Sequence, residues 1–181
     1  GSGAEVYGVN VDGKIAHGND VSLQMGFTVQ RSRYKELTYW SEDETVAGTR
    51  NMPRTPGCYG YFTLTARPFK RFDFSLSGVY TGRMHVPHFA PTDEIPSDYA
   101  YTYITKDELV HTPDFFDFNV KLNYNLVLNE HLKLQLNGGV QNIFNAFQKD
   151  LDKGTYRDSG YFYGPTQPRT FFIGSIFSYR I

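Results

Sequence analysis

A chain of 181 residues is long enough for one domain with a sizeable core, or for part of a larger assembly. Its charge is nearly balanced, 18 Lys and Arg against 19 Asp and Glu, and no basic run occurs, which speaks against a nucleic-acid partner. The single cysteine, Cys58, excludes an intrachain disulfide framework, and no apolar run approaches the roughly 20 residues of a membrane helix.

Period-2 alternation dominates from the first segment onward, and the spacing predicts seven strands: 4–16, 21–33, 59–67, 71–83, 115–128, 131–142 and 169–181. In the second, Val21, Leu23, Met25, Phe27 and Val29 share one face, with Ser22, Gln24, Gly26, Thr28 and Gln30 on the other. In the fourth, Phe72, Phe74, Leu76 and Tyr80 oppose Asp73, Ser75 and Ser77. The fifth sets Phe116, Phe118, Val120, Leu122, Tyr124 and Leu126 against Asp117, Asn119, Lys121, Asn123 and Asn125. The sixth sets Leu132, Leu134, Leu136 and Val140 against Lys133, Gln135, Asn137 and Gln141. The last places Phe171, Ile173, Phe177, Tyr179 and Ile181 on one side.

Most of these segments exceed the usual strand of about five or six residues. They match a tilted membrane-spanning strand of about 9–11 residues. The connections alternate strictly: short at 17–20, 67–71 and 129–131, long at 34–58, 84–114 and 143–168. In outer-membrane barrels short turns face the periplasm and long loops face outside. Polar faces of Asn, Gln, Ser and Lys suit a wet lumen, and apolar faces suit lipid, where only closed sheets leave no backbone group stranded. The aromatic content, 17% with 14 Tyr and 15 Phe, suits a water–lipid interface. The expected fold is all-β: antiparallel up-and-down strands forming about seven strands of a large transmembrane barrel. By this orientation residue 1 lies on the outer side, and the chain reads as the back end of a barrel.

The loops hold the candidate binding groups. Tyr39 and Trp40 are aromatic residues on a long loop, placed to grip a ligand or to anchor at the interface. Met84, His85 and His88 in "MHVPH" could meet a metal chelate, although Pro87 argues for irregular, solvated chain. Tyr99, Tyr101 and Tyr103 alternate, as on one face of a short hairpin above the membrane. "DLDKGTYRD" at 150–158 fails the calcium-loop pattern, so Asp150, Asp152 and Asp158 read as turn formers and no metal site is expected. Arg157 and Asp158 read as a loop scaffold pinning their loop to the barrel wall. Acidic "SEDE" at 41–44 reads as a solvated loop tip. No nucleophile motif such as G-x-S-x-G occurs, so no enzyme activity and no cofactor are expected.

Several stretches, taken in order, resemble the C-terminal region of TonB-dependent outer-membrane receptors, especially those of the Bacteroidetes. They are "GAEVYGV" (3–9), "TPGCYGYFTLTARP" (55–68), "SLSGVYTGRM" (75–84), "TPDFFDFNVKLNY" (112–124), the Asn142-Ile143-Phe144-Asn145 step, "RDSGY" and "YGPTQPR" before the last strand. The resemblance covers essentially the whole chain. It implies a barrel of about 22 strands with a plug in its lumen, binding a scarce nutrient such as an iron chelate, haem, cobalamin or a glycan. It also implies import driven by TonB through an N-terminal box. Residues 1–181 supply neither plug nor box, and about a third of the strands. The implied partners are the remaining barrel and plug, in the same or a separate chain, the TonB complex reached through that N-terminal part, outer-membrane lipid and the barrel-assembly machinery. Phe177, Tyr179 and Ile181 match the terminal signal read by that machinery, with Ile in place of the usual Phe. Two alternatives stand beside this reading: a soluble β-sandwich binding module, and a structural or adhesive barrel.

Overall fold

The computed structural model describes residues 3–180. Ten strands are present and, among the described residues, no helix: β1 Ala4–His17, β2 Val21–Thr38, β3 Thr49–Asn51, β4 Cys58–Phe69, β5 Phe72–Thr81, β6 His85–His88, β7 Glu108–His111, β8 Phe115–Val127, β9 Leu132–Gln141 and β10 Thr170–Tyr179. The seven long strands lie where alternation places them. The three short ones, β3, β6 and β7, sit inside connections expected to be irregular. Pro87 does not break β6: it pairs with Leu109 of β7 in a two-stranded ladder. A strand with only one neighbour has a free edge on which a residue lacking an N–H costs nothing.

The long strands form one antiparallel sheet in the order β1-β2-β4-β5-β8-β9-β10, with β3 added alongside β2. Each long strand therefore pairs with the next long strand along the chain. Residues opposite one another in an antiparallel pair share a face, so the register shows which face each row occupies. One row runs Val11–Phe27–Gly60–Tyr80–Phe116. Another runs Ile15–Leu23–Leu64–Leu76–Val120–Val140–Phe171. These rows make one continuous apolar face. The other face is hydrogen-bonded across strands. Ser22 Oγ lies 2.9 Å from Thr65 Oγ1, and Thr28 Oγ1 donates to Asn10 at 2.9 Å. Near the short-turn end, Asp73 accepts from Arg67 Nε at 2.6 Å and from Asn125 at 2.8 Å, and Gln135 donates on to Asn125.

Among the described residues no second sheet or helix covers the apolar face. Ile173 is 93% exposed and Val9 67% exposed on it. The few buried apolar side chains, Val86, Phe115, Tyr161 and Tyr163, all lie at the long-loop end. The core of this molecule is in its loops, and the sheet carries two uncovered faces of opposite polarity. A β-sandwich puts a second sheet against such a face, and that alternative does not fit this architecture.

Candidate functional site: the packed loop layer

All three long connections, 39–57, 82–114 and 142–169, leave the same end of the sheet and pack into one layer. Arg54 ties the three together. It sits at φ 57°, its backbone N–H bonds the His85 carbonyl at 2.7 Å, and its guanidinium donates to the carbonyls of Phe162, at 2.7 Å, and Gly160. Arginine's planar fork suits two carbonyls held side by side. Pro53 and Pro56 on either side stiffen the turn that aims it.

The third loop opens with the Asn142–Asn145 step, and its geometry explains those residue types. Both asparagines take positive φ, 48° and 53°, a conformation Asn tolerates better than most. Asn142 is 2% exposed. Its side chain donates to Gln167 and Ala146 carbonyls at 2.7 and 3.1 Å and accepts from Ala146 N–H at 2.8 Å. Asn145 accepts from the Arg169 N–H at 2.9 Å, across the loop's two ends. Phe144 turns outward and stacks on Phe116 and Phe118, fixing the loop base to the apolar face.

At the centre, Asp150 accepts from both the Tyr161 and Tyr163 hydroxyls, at 2.6 and 2.5 Å. Burial disfavours the Asp150 carboxylate, but these two phenols outweigh it and hold the carboxyl below its ordinary value. In turn, burial and then Asp150 raise both phenols, Tyr163 to about 12 and Tyr161 further still. His88, 5% exposed, stacks flat on Tyr161 with centroids 3.7 Å apart. Its Nε2 bonds Asp152 at 2.9 Å, and Nδ1 lies 3.5 Å from Glu108 without hydrogen-bond geometry. This is an interior histidine joining the second and third loops, where the sequence suggests a solvated one. Asp150 and Asp152 likewise serve as acceptors for groups in the packed layer, beyond the turn-forming role expected of them. Among the described residues no group of three His, Cys, Asp or Glu is placed to hold a metal ion.

The other predicted residues fall around this centre. Asp158 bridges loops, accepting from the Phe89 N–H at 2.9 Å and capping the Gly160 N–H at 2.7 Å. Arg157 donates to the Gly154 carbonyl of its own loop at 2.9 Å. The bonds of Asp158 join loop to loop, and that of Arg157 stays within its own loop. Met84 packs against the loop core. His85 stacks on His111 at 4.9 Å, and burial, then the charge of His111, lowers its pKa. Trp40 packs on Phe89 at 5.8 Å, leaving Tyr39 as the exposed aromatic of the first loop. Tyr99, Tyr101 and Tyr103 lie in irregular chain, not on a hairpin face. They gather with Tyr156 around Gly154, whose φ of 87° and three tyrosine neighbours leave no room for a side chain. The quartet is held by Tyr103 Oη donating to the Lys153 carbonyl at 2.6 Å and by Thr155 N–H donating to Tyr99 Oη at 2.9 Å.

Sequence reading missed Arg54, Asp150 and Asn142 as organising residues. Asn142 was quoted within its motif, and the turn-rich "MPRTPG" around Arg54 is a signal of the same kind. Phe177 and Tyr179 stand on the apolar face of β10, 67% and 71% exposed, while Ile181 lies outside the described residues. Beneath the loop layer, on the polar face, a recess of about 390 Å³ is lined by Ser75, Ser77, Asp117, Asn119, Lys121 and Gln167. One oxygen of Asp117 there is buried without a hydrogen-bond partner.

No family model matches the chain, and no curated protein matches it. Among solved structures, the closed form of the ferric-catecholate import receptor Fiu from E. coli K12 is similar, with a TM-score of 0.60 and 21% identity. That likeness covers 98% of this chain and 21% of that receptor's. At this identity the likeness establishes the fold: the chain is built like one section of that receptor, strands and long connections together.

Proposed function

We propose that this chain is the C-terminal wall and outer loop layer of a TonB-dependent outer-membrane receptor, capturing a scarce nutrient for uptake. One observation carries the reading: a single up-and-down sheet with one polar and one apolar face, both uncovered, and every long connection packed at one end. A wet lumen and a lipid exterior are the two solvents that such faces match. The likeness to Fiu supports it, and the motifs quoted above favour a Bacteroidetes-like member. The apolar face meets lipid, the polar face lines the lumen, and the loop layer faces outward. The remaining strands, the plug and the TonB-contacting segment belong to the rest of the assembly. The ligand is an iron chelate, haem, cobalamin or a glycan, met by exposed loop aromatics such as Tyr39 and Tyr101, with Trp40, Met84, His85, His88 and Tyr103 shaping the layer behind them. The segment binds and frames; uptake requires no bond chemistry from it.

The test is mass spectrometry of the native protein extracted from outer membranes in detergent, run intact and denatured, with co-purified ligand identified. Recovery of this segment within a larger chain, or with a second chain supplying plug and strands, is the expected result. Recovery as a water-soluble monomer would sink the reading. An assembled barrel that lacks a plug and takes up nothing would favour a structural or adhesive barrel.

A further inference from the structure

The apolar face carries an unexpected strip of charge. On β2 the alternation that places Leu23, Met25, Phe27 and Val29 on that face continues without a register break to Arg31 and Arg33. Lys35 has the same parity within β2. All three side chains are exposed, and they sit toward the loop end of the strand. Facing them across the β1 ladder are Tyr7, opposite Arg31, and Glu5, opposite Arg33. Arg31 donates to Tyr7 Oη at 3.2 Å, and Lys35 Nζ lies 3.5 Å from Glu5. On the other flank Arg33 pairs with the neutral Asn51 of β3. Among the described residues the Arg33 side chain has neither hydrogen bond nor ion pair. Three cations therefore meet one carboxylate, and the strip stays positive.

Below it, on the same face, lies an apolar trough of about 420 Å³ lined by Phe27, Gly60, Phe62, Gly78, Tyr80 and Phe116. Toward β1 it is open, because no atom lies within 4 Å of where a Gly13 side chain would begin. At a rise of about 3.4 Å per residue, Arg31 stands about 14 Å along the strand from Phe27. Cations at the top and an apolar slot beneath match a molecule with an anionic head and a hydrocarbon tail. Charge-assisted bonds from arginine and lysine to phosphate oxygens are about twice as strong as neutral ones.

We propose that Arg31, Arg33 and Lys35 hold the phosphate of a phosphorylated lipid in the leaflet on the loop side, with one acyl chain seated in the trough. This rests on the receptor reading, which places the apolar face in lipid. The site is separate from the nutrient-facing loops, and its ligand is a resident of the membrane.

The test uses the full-length receptor in detergent, titrated with phosphorylated lipid A or its phosphatase-treated counterpart and read by native mass spectrometry. The natural protein should retain the phosphorylated lipid at least tenfold more tightly than the Arg31→Gln/Arg33→Gln/Lys35→Gln variant. Arg31→Lys/Arg33→Lys should keep most of that preference, which separates lost charge from lost folding. Equal retention by the natural protein and the glutamine variant, or equal binding of the dephosphorylated lipid, overturns the proposal. Displacement by inorganic phosphate alone at matching concentration overturns it too, because the tail would then contribute nothing. The same preparation is fractionated first. Recovery outside the membrane fraction would refute the receptor reading itself, a result distinct from a membrane-embedded receptor that ignores the lipid's phosphate.

Discussion

The sheet and the loop layer are held together by different means. In the sheet, stability comes from an unbroken ladder of backbone bonds and from side chains matched to whatever solvent each face meets. Almost none of its side chains are buried within the chain. In the loop layer, regular ladder pairing among the described residues is confined to β3 and the β6–β7 pair, and side chains supply much of the rest: Arg54 on two carbonyls, Asn142 on three backbone groups, Asp150 on two phenols. A region without regular backbone pairing needs polar side chains to satisfy its backbone. The sheet should therefore respond to changes in face polarity, and the loop layer to loss of single named atoms.

The largest separation of the two regions is expected from Tyr161→Ala. Removing a large, buried ring that stacks on His88 and bonds Asp150 should cost about 3–5 kcal/mol of loop-layer stability. Hydrogen exchange on the full-length protein should then show lost protection in 82–114 and 142–169, with β4 and β5 unchanged. Simultaneous loss of protection in the sheet would mean the two regions are one cooperative unit.

Next in size is a paired test of the faces. Leu76→Arg puts a charge on the apolar face and, where that face meets lipid as proposed, should cost about 2–4 kcal/mol. Its neighbour Ser77→Arg, on the polar face, should cost less than about 1 kcal/mol. Reversible unfolding in liposomes measures both, and equal costs would remove the assignment of one face to lipid.

The pH dependence should also divide them. Because Asp150 is held below its ordinary value of 3.8, its contribution is present above that pH. It is lost as pH falls through the lowered folded value. Tyr163, raised from 10.0 to about 12, contributes fully below pH 10 and loses that contribution between 10 and about 12. Loop protection should fall at both extremes, and Asp150→Asn should remove the acid limb. The smallest effect is expected from Arg54→Ala. Its charged hydrogen bonds are exposed, so about 1 kcal/mol is at stake, visible as faster protease nicking at 157–163.

The regions also differ in how legible they are. Most strand residues of the sheet take their polarity from parity, the charged strip on β2 aside, and alternation alone locates all seven long strands. A loop residue answers to one distant partner. Nothing near Arg54 in the chain announces Gly160 and Phe162, and nothing near His88 announces Asp152. His88 thus reads as solvated and Asp152 as a turn former, because type and neighbours are all a sequence displays. Pro87 misleads for a related reason, since its meaning depends on whether its strand has one neighbour or two. The Asn142–Asn145 step is the exception: its positive-φ turn and the Asn142–Ala146 bonds are local, so its motif is visible even though Gln167 and Arg169 lie far along the chain.

Pairing each long strand with the next along the chain has a consequence for how the protein is made. The sheet can grow hairpin by hairpin: β1–β2, β4–β5 and β8–β9 close over short connections, and the entropic cost of closing the three long ones rises only slowly with their length. The loop layer cannot begin that way, because Arg54 must wait until residues 160 and 162 have been synthesised and positioned. An assembling molecule should therefore pass through a stage with its ladder complete and its loop end still open.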